Sequence, residues 1–212
     1  MKKNLLINLA LISKKIIEGL TFESQVCKLS TFMSLKLLKL RWRIFFWTIT
    51  GRIKKMHSRL QLTLSQGNPE NILIIFPMDE PSFRVACYAF RDLGKENVHK
   101  RQFIFIVKEQ FKDLFHLRIG SSIFINYTDQ ENILSGEKNL LHTLQQNKFD
   151  IIVDLNPKFQ LAISRLISLM KSDMKVGFSS DFSDKFYNIQ LDISKSGIME
   201  KGFKQINWIL AQ

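Results

Sequence analysis

From residue 71 onward, short apolar runs alternate with amphipathic stretches along the chain. The runs ILIIF, FIFIV and DIIVDL are apolar at nearly every position, which is typical of strands that helices cover on both faces. The pattern predicts strands at Ile72–Phe76, Phe103–Val107, Ser122–Ile125, Ile151–Leu155, Lys175–Phe178 and Tyr187–Leu191. It predicts helices at Ser82–Leu93, Glu109–Phe115, Glu137–Gln146, Phe159–Lys171 and Ile198–Ala211. We therefore expect an α/β fold, a single Rossmann-like three-layer domain with a mostly parallel sheet.

The first part of the chain has a purely helical pattern. One set of apolar residues recurs at helical spacing near the start, namely Leu5, Leu9, Ile12 and Ile16. A second set follows further along, namely Leu35, Leu38, Trp42, Phe45, Phe46 and Ile49, with Lys36, Lys39 and Arg43 on another stripe. The pattern predicts a basic amphipathic helical N-terminal arm before the Rossmann-like domain.

The net charge of +12 is concentrated in this arm. Residues 1–64 hold thirteen Lys and Arg and two acidic residues, a net charge of +11, so the remainder is close to neutral. Turn-forming residues cluster between Ser65 and Pro69. We predict an arm over residues 1–64, a linker over 65–70 and a Rossmann-like domain over 71–212. A folded nucleic-acid reader carries its positive charge on the folded face, so this distribution disfavours nucleic acid as a partner.

A basic and aromatic amphipathic arm favours an anionic membrane surface as its partner. Charged residues interrupt both apolar sets well before the roughly 20 residues that a membrane span requires. The predicted membrane-binding residues are Lys36, Lys39, Arg41, Trp42, Arg43 and Trp47. We expect a cytoplasmic protein that is peripheral at the inner membrane face. Helices that only pad the domain, a signal-peptide-like start without a cleavage site, and stacking on single-stranded RNA stay open as alternatives.

Candidate site residues are taken from the loops that leave the predicted strands, because ligands of open parallel sheets bind at the carboxyl ends of the strands. Asp79 and Glu80 follow the first strand, beside the start of a predicted helix. Asp79 is the candidate base, and a carboxylate at this position also fits a helix cap. The predicted substrate-binding residues are Glu80, Ser82, Asn156, Lys158, Ser179 and Ser180.

Motifs for cofactors and metals are missing from the sequence. There is no GxGxxG, and the spacing Gly197 to Gly202 lacks the Lys-Ser/Thr of a phosphate loop. The four His and two Cys have no mutual ligand spacing, and no GxSxG occurs. We therefore predict no cofactor and no metal.

Two stretches of the domain resemble a known family. NKFDIIVDLNPKFQLAISRLISLMKSDMKVGFSS is similar to the segment of family 9 glycosyltransferases, the lipopolysaccharide heptosyltransferases, in which an "fDlvIDl" strand leads through a helix to an "rIGf" strand. NILIIFPMDEPSFRVACYAFRDLG is similar to that family's first strand, loop and helix. The resemblance covers roughly residues 71–192.

The resemblance implies the GT-B architecture, in which the first Rossmann-like half holds the sugar-lipid acceptor and the second holds the nucleotide sugar. This chain resembles the first half, and we expect the donor half to be absent. The resemblance also implies a Gly-Asp pair in the first loop, whose Asp is the general base. Here the loop reads Phe76-Pro77-Met78-Asp79-Glu80-Pro81, without the glycine, which leaves Asp79 as the candidate.

These observations favour a degenerate single-domain relative of family 9 enzymes that binds a glycolipid acceptor in bacterial envelope or lipopolysaccharide assembly. Two alternatives stay open. One is an active glycosyltransferase that works with a separate donor-binding chain, and the other is a non-enzymatic α/β scaffold.

Overall fold

The computed structural model describes residues 35–54, 70–93, 101–128, 136–193 and 198–211. The chain divides into two compact units, with the boundary between Gly51 and Arg52. In the first unit the described residues form one helix, α1, over residues 35–49, where the sequence predicts helical periodicity. The earlier predicted amphipathic run, Leu5 to Ile16, and all of the predicted linker except Glu70 lie outside the described residues.

The second unit, here called the body, is built on a six-stranded sheet of order β3-β2-β1-β4-β5-β6. Every pair of neighbouring strands in this sheet is parallel. The strands are β1 (Asn71–Ile75), β2 (Gln102–Lys108), β3 (Ser121–Ile125), β4 (Ile151–Asp154), β5 (Met174–Phe178) and β6 (Ile189–Leu191). The predicted α/β fold with a parallel sheet is confirmed.

Among the described residues of the body, four α-helices connect or follow the strands. They are α2 (Glu80–Phe90), α3 (Glu137–Gln145), α4 (Leu161–Leu169) and α5 (Met199–Ala211). The segment Glu109–Leu114 is a 3₁₀-helix, where the sequence predicts an ordinary helix. This difference has a physical reason, because six residues give room for only one or two tight turns between β2 and the approach to β3.

The core shows why the apolar runs form buried strands. Residues 72–75 of β1 are completely buried, so both faces of this central strand are covered. On one face, Phe76 makes edge-to-face contacts with Phe83, Phe90 and Phe105, at centroid distances of 5.7–6.1 Å. Aromatic pairs in this geometry contribute beyond their area burial. They fix α2 against the sheet.

The strand order creates a crevice at the carboxyl ends of β1 and β4. The chain moves from β1 through α2 to β2 on one side, and from β4 through α4 to β5 on the other. Because such crossovers are right-handed, α2 and α4 lie on opposite faces of the sheet. The loops after β1 and β4 therefore diverge at this point, which is where ligands of open parallel sheets bind.

Lys175 makes the stability of the body depend on pH in a predictable direction. Its buried ammonium donates to the carbonyls of Ile167 and Met170, both at 2.8 Å, and so caps the end of α4. Burial, with a smaller contribution from the charge of Lys54, lowers the pKa of Lys175 to about 8. The unfolded lysine has a pKa near 10.4. Between these values the unfolded chain binds more protons, so the contribution of Lys175 to stability rises with pH through this window and is most unfavourable below pH 8.

We expect the free energy of unfolding of the wild type, relative to Lys175→Met, to rise by up to about 3 kcal/mol between pH 8 and 10.5. Urea unfolding of both proteins at several pH values measures this difference. Other titrating groups, such as the Cys87 thiol, are common to both proteins and cancel. Parallel pH profiles for the two proteins would contradict the assignment.

Candidate functional site

Three loops meet at the carboxyl edge of the sheet. They follow β1 (residues 76–79), β4 (155–160) and β5 (179–182). Because β4 pairs with both β1 and β5, the three loops are neighbours in space. The structure thus brings the predicted site residues to one edge of the body.

Asp79 is the N-cap residue of α2. Its Oδ1 accepts hydrogen bonds from the backbone N of Ser82 at 3.0 Å and from the Ser82 hydroxyl at 2.7 Å. The two bonds satisfy a helix-terminal amide and a buried hydroxyl, which is the ordinary chemistry of a cap. The capping role that the sequence left open is therefore present. Glu80, the next residue, is exposed and pairs with Arg84 at 2.7 Å.

Asn156 ties the β4 loop to the β1 loop. Its Oδ1 accepts from the backbone N of Met78 at 2.9 Å, and its Nδ2 donates to Asp154 Oδ1 at 2.7 Å. Asn156 is itself buried. The residue before Asp79 is thus held in place by the end of β4, so the position of Asp79 depends on this amide.

Asp154 is the centre of a buried polar network beneath the loops. Besides the side chain of Asn156, it accepts from the Asn156 backbone N at 2.9 Å and from the Tyr187 hydroxyl at 2.5 Å. The Ser164 hydroxyl lies 3.0 Å from that of Tyr187. Burial raises the pKa of the Asp154 carboxyl, although the hydrogen bonds from Tyr187 and Asn156 act in the opposite direction. Burial, and then the charge of Asp154, raise the pKa of Tyr187 well above its ordinary value.

Lys108 brings a cation to the same edge. It ends β2, and its Nζ donates to the carbonyl of Met78 at 3.3 Å. The ammonium lies over the ring of Phe111 at 5.4 Å and over that of Tyr127 at 5.9 Å. The Tyr127 hydroxyl donates to Gln160 in the β4 loop. Lys108, Tyr127 and Gln160 extend the edge on the β2 and β3 side, and a cation among hydroxyl and amide groups suits an anionic or hydroxyl-rich ligand.

The remaining predicted residues lie in the β4 and β5 loops. Lys158 and Ser179 are exposed, and Ser180 is half-buried. The backbone N of Ser179 donates to the Leu191 carbonyl at 2.9 Å, and that of Ser180 donates to the Ser183 hydroxyl at 2.9 Å. These backbone bonds shape the β5 loop. The binding roles of the Ser179 and Ser180 side chains stay predictions.

Sequence reasoning missed Asp154, Tyr187, Lys108, Tyr127 and Gln160. Two of them carry a signal, because Asp154 and Lys108 each place a charge at the end of an otherwise apolar run. A charge that closes a buried strand points to the ligand edge of a parallel sheet. The others carry no such local signal.

The helix α1, described by itself, has an exposed apolar stripe. Its members are between 50% and 67% exposed and are Leu35, Leu38, Trp42, Phe45, Phe46 and Ile49. The rings of Trp42, Phe45 and Phe46 contact one another at centroid distances of 5.8–6.0 Å. The predicted membrane-binding residues Lys36, Lys39, Arg41 and Arg43 are also exposed, whereas Trp47 is half-buried.

Within residues 35–54, 70–93, 101–128, 136–193 and 198–211, no helix is long and apolar enough to cross a membrane. In that same part of the chain, no group of three or more His, Cys, Asp or Glu side chains is placed to hold a metal ion.

The body has a Rossmann-like fold, and this fold occurs in a solved glycosyltransferase structure. Its structure is similar to the crystal structure of the family 9 glycosyl transferase from Veillonella parvula, with a TM-score of 0.54 and 15% identity. That match covers 66% of this chain and 41% of the other chain. The Escherichia coli heptosyltransferase WaaC with ADP matches at a TM-score of 0.49 and 16% identity, over 65% of this chain and 45% of that chain.

The chain therefore spans less than half the length of either solved structure. No protein-family model matches the sequence, and a search of curated proteins finds no match. The structural similarity to the Veillonella parvula enzyme confirms, at the level of the fold, the resemblance seen in the sequence.

Proposed function

We propose that this chain is an acceptor-side relative of family 9 glycosyltransferases that binds the sugar portion of an envelope glycolipid at an anionic membrane surface. The observation that carries the proposal is the structural similarity to a family 9 glycosyl transferase over two-thirds of the chain. The proposed location is peripheral and cytoplasmic, at the inner membrane face, and the exposed aromatic and basic residues of α1 support it.

The carboxyl edge of the body supplies groups that suit a sugar bearing anionic substituents. Lys108 offers an ammonium, the half-buried Gln160 offers an amide that the buried Tyr127 hydroxyl orients, and the exposed Lys158 adds a second cation from the β4 loop. Planar aromatic and amide groups with cations provide hydrogen bonds and charge to such a ligand. The fixed Asn156 to Met78 hydrogen bond keeps the β1 loop in one conformation, which lowers the entropy cost of binding.

The preference for binding over catalysis rests on the use that the chain makes of one oxygen of Asp79. A general base needs a carboxylate oxygen within reach of the substrate hydroxyl. The Oδ1 of Asp79 already accepts two hydrogen bonds at the start of α2. We therefore assign Asp79 to capping and to shaping the loop.

The alternative is an active glycosyltransferase that works with a separate donor-binding chain and uses Asp79 as base. Its supporting observation is the location of Asp79 at the carboxyl end of β1, next to the crevice between β1 and β4. In that case Asp79→Asn would keep the cap and abolish turnover. A non-enzymatic scaffold, the third possibility, would bind no sugar at this edge.

The test is a calorimetric titration of the full chain with a deacylated, phosphorylated lipopolysaccharide core oligosaccharide. We expect saturable binding that Lys108→Glu weakens about tenfold or more, because the substitution replaces attraction for the anionic group with repulsion. Lys171→Glu makes the same charge change beyond the end of α4, at the opposite edge of the sheet, and should leave binding within about twofold.

Equal loss of binding in both variants would mean that only net charge matters, and no binding at all would favour the scaffold. Sugar transfer from a nucleotide sugar in the presence of a second chain would replace the binding proposal with the enzyme alternative.

A further inference from the structure

A cavity of about 480 Å³ lies at the opposite edge of the body from the candidate site. It is formed by the last turn of α2 and the following residues, together with residues 114–119, which lead into β3. Because α2 runs back from the carboxyl end of β1 towards the start of β2, its last turn is at the edge where the strands begin. Small-molecule sites usually measure about 300–1,000 Å³, so the size suits a small ligand.

The inner surface of this cavity is aliphatic. It is formed by Leu93, Leu114, Leu117 and Ile119, with the thiol of Cys87 among them. Burial raises the pKa of Cys87 to about 12, so the group is a neutral thiol at physiological pH. A neutral thiol behaves as a small apolar group. The inner surface therefore favours a hydrocarbon chain over a sugar or a nucleotide.

The opening of the cavity is basic. Arg91, His116 and Arg118 line it, and all three are exposed. The guanidinium of Arg91 lies 4.4 Å from the centre of the Tyr88 ring and 3.3 Å from a carboxylate oxygen of Asp92. Even with Asp92 paired to Arg91, the guanidinium of Arg118 leaves the opening attractive to an anion. Guanidinium groups bind carboxylate and phosphate through two parallel hydrogen bonds.

We propose that this cavity binds an amphiphile with one aliphatic chain and an anionic head group. The chain would lie against the leucine and isoleucine side chains, and the head group would pair with Arg118 and Arg91 at the opening. An inorganic anion would leave the aliphatic surface in contact with water, and a neutral hydrocarbon would leave the two guanidinium groups unused. The site is separate from the carboxyl edge, so this inference does not depend on the proposed function.

The test is a calorimetric titration of the full chain with decyl phosphate below its critical micelle concentration. We expect one saturable site per chain, with decyl maltoside and inorganic phosphate each binding at least about tenfold more weakly. Arg118→Glu should weaken decyl phosphate binding about tenfold by charge reversal. Ile119→Trp should do the same by filling the cavity. The thermal melting of each variant establishes that it is folded.

Three controls locate the ligand. Arg84→Glu reverses a charge on α2 in an exposed ion pair with Glu80 and should leave the affinity unchanged. Trp42→Ser with Phe46→Ser removes the aromatic part of the α1 stripe and should also leave it unchanged. Bound decyl phosphate should slow the alkylation of Cys87 at pH 9, and peptide mapping measures the rate of this alkylation.

No saturable binding, or binding that tracks the α1 variant and leaves Cys87 unprotected, would overturn the proposal. An equal effect of Arg84→Glu and Arg118→Glu would overturn it as well, because it would reduce the interaction to general charge attraction.

Discussion

Replacing Trp42 and Phe46 with serine should lower the partition of the full chain into anionic vesicles about a hundredfold. Both rings belong to the α1 stripe and are 55% exposed. Full burial of a large apolar side chain contributes about 1.5–3 kcal/mol, and a helix at the headgroup boundary buries only part of each ring. About 3 kcal/mol for the pair therefore corresponds to roughly two orders of magnitude in partition. Vesicle co-sedimentation over a range of lipid concentrations measures the change.

The chain offers a matched control for this prediction. Trp208 on α5 is 65% exposed and lies outside the stripe, so Trp208→Ser removes a similar apolar area from another surface. It should leave vesicle binding within about twofold. An equal loss for Trp208→Ser would contradict a membrane-binding role for α1 and would indicate general surface adhesion.

Charge and apolar contacts on α1 can be separated by salt. Lys39 and Arg43 are exposed on the same helix, and each basic residue near an anionic surface contributes about 1 kcal/mol that salt screens over roughly 8–10 Å. Lys39→Gln with Arg43→Gln should therefore weaken binding to anionic vesicles at low salt and have little effect at high salt. A single-stranded oligonucleotide tested in place of the vesicles addresses the alternative that the same rings stack on bases.

The sheet could be predicted because buried parallel strands have continuous apolar sequences. The segment Ile151–Asp154 is buried at every position, and the continuous apolar character of its first three residues requires cover on both faces. The last strand is shorter than predicted, Ile189–Leu191 instead of Tyr187–Leu191, because the backbone N of Tyr187 donates to the Ser183 carbonyl at 2.9 Å and not to β5. The Tyr187 hydroxyl donates to Asp154. Local pattern shows that a residue is apolar and aromatic, but it does not show which buried acid it will meet.

The sequence predicts only those parts of the candidate site that follow from the order of strands and loops along the chain. The loop containing Asp79 and the loop containing Asn156 follow apolar runs, and strand ends of a parallel sheet meet at one edge. The contact between Asp154 and Tyr187 joins residues 33 positions apart, and it depends on how β4, β5 and β6 align. Lys108 reaches Met78 only because β2 pairs beside β1. Such contacts follow from strand order and register, which single residues do not encode.

Asp154→Ala should be the most destabilising single change in the candidate site, at about 3–5 kcal/mol. The carboxylate accepts from the backbone and side chain of Asn156 and from the Tyr187 hydroxyl, all in a buried environment. Removing it leaves the two Asn156 donors without an acceptor, leaves the Tyr187 hydroxyl with only that of Ser164, and creates a cavity. Each unsatisfied buried donor costs about 1–3 kcal/mol before relaxation. Tyr187→Phe removes only one of these bonds and should cost about 1–2 kcal/mol. Urea unfolding followed by circular dichroism measures both values.

The double variant Asp154→Ala with Tyr187→Phe should cost less than the sum of the two single changes, because the second change removes a hydroxyl that has already lost its bond to Asp154.

Asp150→Ala is the matched control. Asp150 flanks the other end of β4, where its Oδ2 accepts from the backbone N of Glu70 and Asn71 at 2.9 and 3.0 Å. It is only half-buried, so its loss should cost about 1–2 kcal/mol and leave the carboxyl edge intact. Asp154→Ala should also free Asn156 from its orientation toward Met78 and weaken oligosaccharide binding, whereas Asp150→Ala should not. If the two aspartates prove equivalent in both measurements, the Asp154 network is ordinary strand-end structure with no role in holding the β1 loop.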